Sequence, residues 1–235
     1  MGFPRSRRDA SPSGKVVTRP AAIGQVAGAN ETAPPAPRPD SFEEVARWRD
    51  SQRCRLRAVR SALDAETRSA IAEAVHRRLD AFVAALFGTL AGRCLVCYRP
   101  IRDEIDLTAW MVALHGAGAV VGVPQARNRH EALRFRRWMP AFEGNGCLQY
   151  APVAPPESAE IERPDLVVAP VLGWDAAGYR LGYGTGSFDR TLSRLGPETV
   201  TVGVGLEDAK LATIHPQPFD IRLGHVITEA ATRDF

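Results

Sequence analysis

Between Arg180 and Arg190 the chain reads Arg-Leu-Gly-Tyr-Gly-Thr-Gly-Ser-Phe-Asp-Arg, with glycine at every second position from Gly182 to Gly186. Glycine lacks a Cβ and adopts positive φ without steric cost, so such a run can aim successive N–H groups at one anion. Arg180 and Arg190 bracket the run with positive charge. Asp189 adds a carboxylate of the kind that holds Mg2+ beside phosphate oxygens, and at the start of a helix it equally suits the positive end of the dipole. Upstream, Asp165 to Leu172 is an apolar run of β character, and downstream Leu and Arg recur at helical spacing from Arg190 to Leu195. Strand, glycine loop and helix in that order form a phosphate-binding arrangement. Gly-Lys-Ser/Thr is missing, since no lysine lies between Lys15 and Lys210. The dinucleotide fingerprint also fails, because Ser187 and Asp189 stand where its last glycine belongs. A glycine-rich turn closing a strand–helix junction is the plainer reading of the same residues.

The elements that must position this loop are legible from periodicity. Ser41 with Glu44 has the spacing of a capping box, and Phe42, Val45, Ala46 and Trp48 begin an apolar stripe running to about Leu63. A second helix starts near Asp64, with Ile71, Val75, Leu79, Phe82 and Leu86 at helical intervals. Ala91 to Tyr98 reads as a strand, Asp106 to His115 as a helix ending at Gly116 and Gly118, and Ala119 to Val123 as a buried strand stopped by Pro124. Leu133 to Met139 alternates like an edge or antiparallel strand, and Gly144 with Gly146 begins a loop. Asp165 to Leu172 is expected to feed the glycine loop, the helix after it to end at Gly196-Pro197, and Thr199 to Val204 to form one more strand. Strands alternating with helices imply an α/β three-layer fold. In such sheets ligands collect beyond the carboxyl ends of the strands, where the glycine loop and the Tyr98 to Glu104 segment both fall.

Composition narrows the function classes. The first 40 residues hold seven of the 18 prolines and few large apolar side chains, which predicts a disordered tail before a single domain over 41–235. Residues 1–39 carry six Lys/Arg against two Asp/Glu, so the net charge of +3 resides in the tail and gives no reason to expect a specific nucleic-acid surface. Arginine outnumbers lysine 28 to 2, a bias too general to mark individual sites. No run approaches the length of a membrane span, and no secretory h-region is evident. Four scattered cysteines do not make a disulfide framework, which points to a reducing, cytoplasmic setting. Cys94-Leu95-Val96-Cys97 lies within a strand and lacks a second ligand pair, so it reads as structural thiols.

The loop sequence resembles the 5-formyltetrahydrofolate cyclo-ligase (methenyltetrahydrofolate synthetase) family, whose signature is close to Arg-Leu-Gly-x-Gly-x-Gly-Tyr-Tyr-Asp-Arg. Also similar to that family are Tyr98-Arg99-Pro100 with Asp103-Glu104-Ile105, Val123-Pro124, Leu133-Arg134-Phe135 with Trp138, Pro164 to Pro170, Gly203-Val204-Gly205 and Val226-Ile227-Thr228-Glu229. The resemblance implies a NagB/RpiA/CoA-transferase-like α/β/α sandwich. It implies closure of 5-formyltetrahydrofolate to 5,10-methenyltetrahydrofolate with ATP and Mg2+, by a monomer with folate and ATP as partners. Positioning and charge neutralisation dominate such chemistry, so no protein nucleophile is expected.

Carried onto this sequence, the family pattern assigns nucleotide contacts to Arg180, Gly182, Tyr183, Gly184, Thr185, Gly186, Ser187 and Phe188, with Arg190 and Asp189 at the transferring phosphoryl group. Arg49 and Arg53 match the lysine and arginine one helical turn apart that reach the ATP phosphates, although with Arg57 and Arg60 they also suit a solvated basic face. Asp189 and Asp220 are the Mg2+ candidates. Glu104 matches the glutamate that recognises the pterin, and with Asp103 and Asp106 it also suits an acidic helix start. Tyr98 falls in the same substrate-binding segment, and Trp138, Tyr150 and Phe188 are candidate aromatic walls or simply core. Ser187-Phe188 replaces the family's two tyrosines and Pro216-Gln217-Pro218-Phe219 alters the loop before Asp220, which leaves room for a divergent paralogue that binds nucleotide or folate in a regulatory or salvage role.

Overall fold

The computed structural model describes residues 41–128, 131–140 and 160–235. Tyr150, Cys147, the Gly144–Gly146 loop and the tail over 1–40 lie outside the described residues. Helix α1 (Phe42–Ser61) starts where the Ser41 hydroxyl accepts the Glu44 N–H, and α2 (Ala65–Phe87) starts where Asp64 accepts the N–H of Thr67. Ile71, Val75, Leu79 and Val83 recur every four residues along α2 and are its buried face.

Eight strands form the main sheet in the order β11-β10-β8-β5-β1-β2-β3-β4. Five central strands are mutually parallel: β1 (Cys94–Cys97), β2 (Val120–Gln125), β5 (Leu166–Pro170), β8 (Val200–Val204) and β10 (His225–Ile227). Antiparallel strands close both edges, β11 (Thr232–Asp234) on one side and β3 (Arg134–Arg137) with β4 (Glu160–Ile161) on the other. Leu95, Val96, Leu166, Val167, Val168, Ala169 and Val202 have no exposed surface. Their unbroken apolar runs belong to strands covered on both faces. Helix α3 (Thr108–Gly116) joins β1 to β2 and buries Trp110, Met111 and Leu114. Among the described residues no helix is long and apolar enough to cross a membrane.

Three local expectations are corrected. Pro124 does not stop β2. Pairing to β1 ends at Gly122, and the Trp138 N–H bonds to the Val121 carbonyl, so the Pro124 nitrogen faces the β1 side beyond the last paired residue, where no ladder bond is required. The strand feeding the glycine loop is not the Asp165–Leu172 run. A hairpin, β6 (Gly173–Asp175) and β7 (Arg180–Leu181), intervenes and pairs with β9 (Lys210–Leu211) as a separate small sheet. The Asp175 carboxylate shapes it by accepting the N–H groups of Ala177, Tyr179 and Ile214, at 3.0, 3.1 and 3.0 Å. Finally, α4 (Ser187–Leu192) stops short of Gly196, because Arg194 and Leu195 tighten onto the carbonyls three residues back.

Candidate active site

Gly184 and Gly186 take φ of 97° and 65°, and Gly182 lies outside the left-handed region. Two of the three glycines therefore carry the conformational demand. The chain turns so that no described residue accepts the N–H of Tyr183, Gly184, Thr185 or Gly186. Side chains hold the turn from outside this row of donors. The Thr185 hydroxyl oxygen accepts from the Ser187 hydroxyl at 3.1 Å, and Arg190 Nη2 reaches back to the Thr185 carbonyl at 2.7 Å. Thr191 donates to the Ser187 carbonyl at 2.6 Å and accepts the Leu133 N–H at 2.8 Å, fixing α4 beside the segment leading into β3.

Arg49, Arg53, Arg57 and Arg60 fall within one face of α1 at intervals of four, four and three residues. All four point inward or along the loop, so a solvated basic face does not describe them. Arg53 Nε donates to the Gly182 carbonyl at 2.8 Å, placing its guanidinium beside Gly184, and Nη1 pairs with Asp50. The Arg57 guanidinium lies 5.4 Å from the Tyr183 ring centroid. Arg60, only 4% exposed, donates through Nη2 to the Val171 carbonyl at 2.8 Å and through Nη1 to the Tyr183 hydroxyl at 3.2 Å.

Arg49 is engaged differently. Its Nε and Nη2 donate to the carbonyls of Ile214 and His215, both at 2.9 Å, and it forms a two-pronged ion pair with Asp220. Asp220 also accepts the Gln217 N–H at 2.6 Å, so both of its oxygens are occupied. Asp189, in the first turn of α4, takes Arg180 Nη2 at 3.1 Å and the Ile221 N–H at 3.1 Å, both at Oδ1. Arg180 is buried, and its guanidinium sits 5.7 Å from the centroid of Phe188. Among the described residues no group of three His, Cys, Asp or Glu is arranged to hold a metal ion. Cys94 and Cys97 are free thiols whose pKa burial raises, that of Cys94 to about 11.

Glu104 lies in the wall of a cavity of about 460 Å³, shared with Arg60, Arg68, Leu63, Ile71 and His76. Its Oε2 accepts the Ile101 N–H at 2.9 Å, whereas no described residue donates to the buried Oε1 within hydrogen-bond distance. Burial raises its carboxyl above the ordinary range, opposed by the Ile101 N–H, by the adjacent Tyr183 hydroxyl and by the charges of Arg60 and Arg102. Tyr98 does not enter this space: it is buried and donates from its hydroxyl to the Ile105 carbonyl at 2.8 Å, fixing the segment that presents Glu104. Trp138 is fully buried beside β2 as core.

The structure thus gathers Arg53, Arg57, Arg60, Tyr183 and the glycine loop, connects them to Glu104, and sets Arg180, Asp189, Arg49 and Asp220 at the other end of α1. Sequence reading did not single out Arg60, whose signal was its place on the Arg49–Arg53–Arg57 face. It also treated Tyr183 only as backbone.

Residues 45–229 match the model of the 5-formyltetrahydrofolate cyclo-ligase family. A 5-formyltetrahydrofolate cyclo-ligase of Mycolicibacterium smegmatis is 29% identical over 145 residues, covering 59% of this chain and 75% of that protein. The 5,10-methenyltetrahydrofolate synthetase of Mycoplasma pneumoniae superposes with a TM-score of 0.63 at 21% identity, over 77% of this chain and 98% of its own. That of Aquifex aeolicus gives 0.65 at 24% identity, over 79% and 92%. These two share the mixed α/β fold with its central mixed sheet. With the family model spanning both the glycine loop and the Glu104 segment, the chain belongs to the 5-formyltetrahydrofolate cyclo-ligase family.

Proposed function

We propose that this protein closes 5-formyltetrahydrofolate to 5,10-methenyltetrahydrofolate at the expense of ATP. The observation that carries the reading is a row of four backbone N–H groups that no described residue accepts, joined through Tyr183 and Arg60 to a cavity with a buried carboxylate in its wall. The first feature suits polyphosphate and the second suits a ring with adjacent N–H donors. A formamide is a poor electrophile. Its oxygen attacks the γ-phosphorus and ADP leaves; N10 then attacks the activated formyl carbon, the C–O bond breaks with phosphate as leaving group, and the N10 proton is released.

The chain's part is binding and orientation. The N–H groups of Tyr183 to Gly186 cradle the phosphates, and Arg53, Arg180 and Arg190 offset their charge. Arg49 and Asp220 neutralise each other until one is drawn to the nucleotide. Mg2+ entering with ATP would neutralise phosphate oxygens, and Asp189, whose contacts with described residues are at Oδ1, has Oδ2 to offer it. Glu104 accepts the 2-amino and N3–H edge of the pterin, which supplies the partners its Oε1 lacks. The finer architecture belongs to the same reading: a three-layer NagB/RpiA/CoA-transferase-like domain over 41–235, monomeric and cytoplasmic.

The test incubates purified protein with 5-formyltetrahydrofolate, ATP and Mg2+, following methenyl absorbance and ADP together. One ADP per methenyl product supports the reading, and nucleotide binding without product overturns it. A second reading, a nucleotide- or folate-binding paralogue, draws on Ser187-Phe188 in place of two tyrosines and on the occupied Asp220. It predicts folate retained unchanged when ATP is added.

A further inference from the structure

Tyr183 lies between the first two glycines of the loop, and its side chain is the only link the described contacts show between the loop and the cavity. Its hydroxyl accepts from Arg60 Nη1 at 3.2 Å, which leaves the phenolic proton for another acceptor. Arg60, which donates to that hydroxyl, lines the same cavity as Glu104, and no described residue donates to Glu104 Oε1 within hydrogen-bond distance. Arg60 is itself immobilised: Nη2 holds the Val171 carbonyl at the end of β5, and the Arg60 carbonyl takes Arg68 Nη2 at 2.8 Å. Arg57 lies over the Tyr183 ring and limits its swing. Burial and the nearby Glu104 charge raise the Tyr183 pKa, so the proton remains on the phenol. The backbone N–H of the same residue is one of the loop donors that no described residue accepts.

We propose that Tyr183 is a positioning residue that couples the two halves of the site: an anion accepting its N–H fixes the loop, and the fixed ring sets its hydroxyl against Glu104, orienting that carboxylate for the second ligand. Reciprocity follows, so each ligand tightens the other by the same factor. The inference rests on the cyclo-ligase reading for the identity of the two ligands.

The test measures 5-formyltetrahydrofolate affinity by calorimetry with and without a non-hydrolysable ATP analogue, in wild type, Tyr183→Phe and Arg60→Lys. Tyr183→Phe keeps the backbone donors and the ring and removes only the hydroxyl. Wild type is expected to bind the folate roughly tenfold tighter with the analogue, the scale of one hydrogen bond to a charged group. The ratio should fall toward one in Tyr183→Phe. A stability cycle with Glu104→Met, run with the ATP analogue bound, gives an independent reading: Tyr183→Phe should destabilise the wild-type background more than the Glu104→Met background. A ratio as large in Tyr183→Phe as in wild type, or strictly additive stability effects, overturns the coupling and leaves the cyclo-ligase reading standing. Wild type that binds neither ligand refutes that reading, and the coupling falls with it.

Discussion

Gly182 and Gly184 look interchangeable in the sequence, and the structure makes opposite predictions for them. Gly184 has φ of 97°, and a Cβ there would meet nothing closer than Arg53 Cζ at 3.6 Å, an ordinary contact. The penalty of Gly184→Ala is therefore conformational, about 1–3 kcal/mol for a non-glycine residue held in a sparsely populated region. Gly182 is free of positive φ and a Cβ there meets nothing within 4 Å. Gly182→Ala should instead stabilise by about 0.4–1 kcal/mol, because alanine narrows the unfolded ensemble. Urea denaturation of both variants reads the difference directly, and the Arg53 bond to the Gly182 carbonyl is retained in either. Equal effects of one sign, or a larger loss at Gly182, would refute the assignment of loop strain to Gly184.

Other outcomes follow from the same contacts. Arg49→Met leaves Asp220 buried and unpaired, and should cost about 3–5 kcal/mol in denaturation experiments, with Arg49→Met/Asp220→Asn costing less than the sum. Burial raises the Glu104 carboxyl above the unperturbed 4.5, so its contribution to stability is complete below that value and is lost as pH rises through the shifted one. Glu104→Gln should flatten that decline in a pH series of unfolding curves. Iodoacetamide at neutral pH should modify exposed Cys54 and spare buried Cys97, as peptide mass spectrometry would show.

How much of this was legible in the sequence depended on whether local or long-range terms decide the outcome. Ser41 and Asp64 sit at helix starts because capping is a four-residue interaction, and the Ile71–Val75–Leu79 stripe of α2 and the central strands follow from burial period, although the buried face passes to Val83 and leaves Leu86 exposed. The β6–β7 hairpin escaped reading because two- and three-residue strands carry no period, and its shape is set by Asp175 reaching Ile214, 39 positions away. Pro124 misled because its tolerance depends on where a neighbouring strand stops pairing. At the candidate site, the glycine loop and Glu104 stand out by residue type and by the family pattern. The Arg49–Asp220 pair and the Tyr183–Arg60 contact join residues 171 and 123 positions apart, and nothing local encodes them.

The central claim is that the phosphoryl group is transferred to the formyl oxygen of a folate held between Glu104 and the glycine loop. Substrate carrying ¹⁸O in the formyl group, turned over with ATP and Mg2+, tests it directly by mass spectrometry of the released phosphate. The account predicts one ¹⁸O in each phosphate formed, with product lost in a folded Glu104→Ala variant. Unlabelled phosphate, or methenyl product formed without ATP, would contradict it.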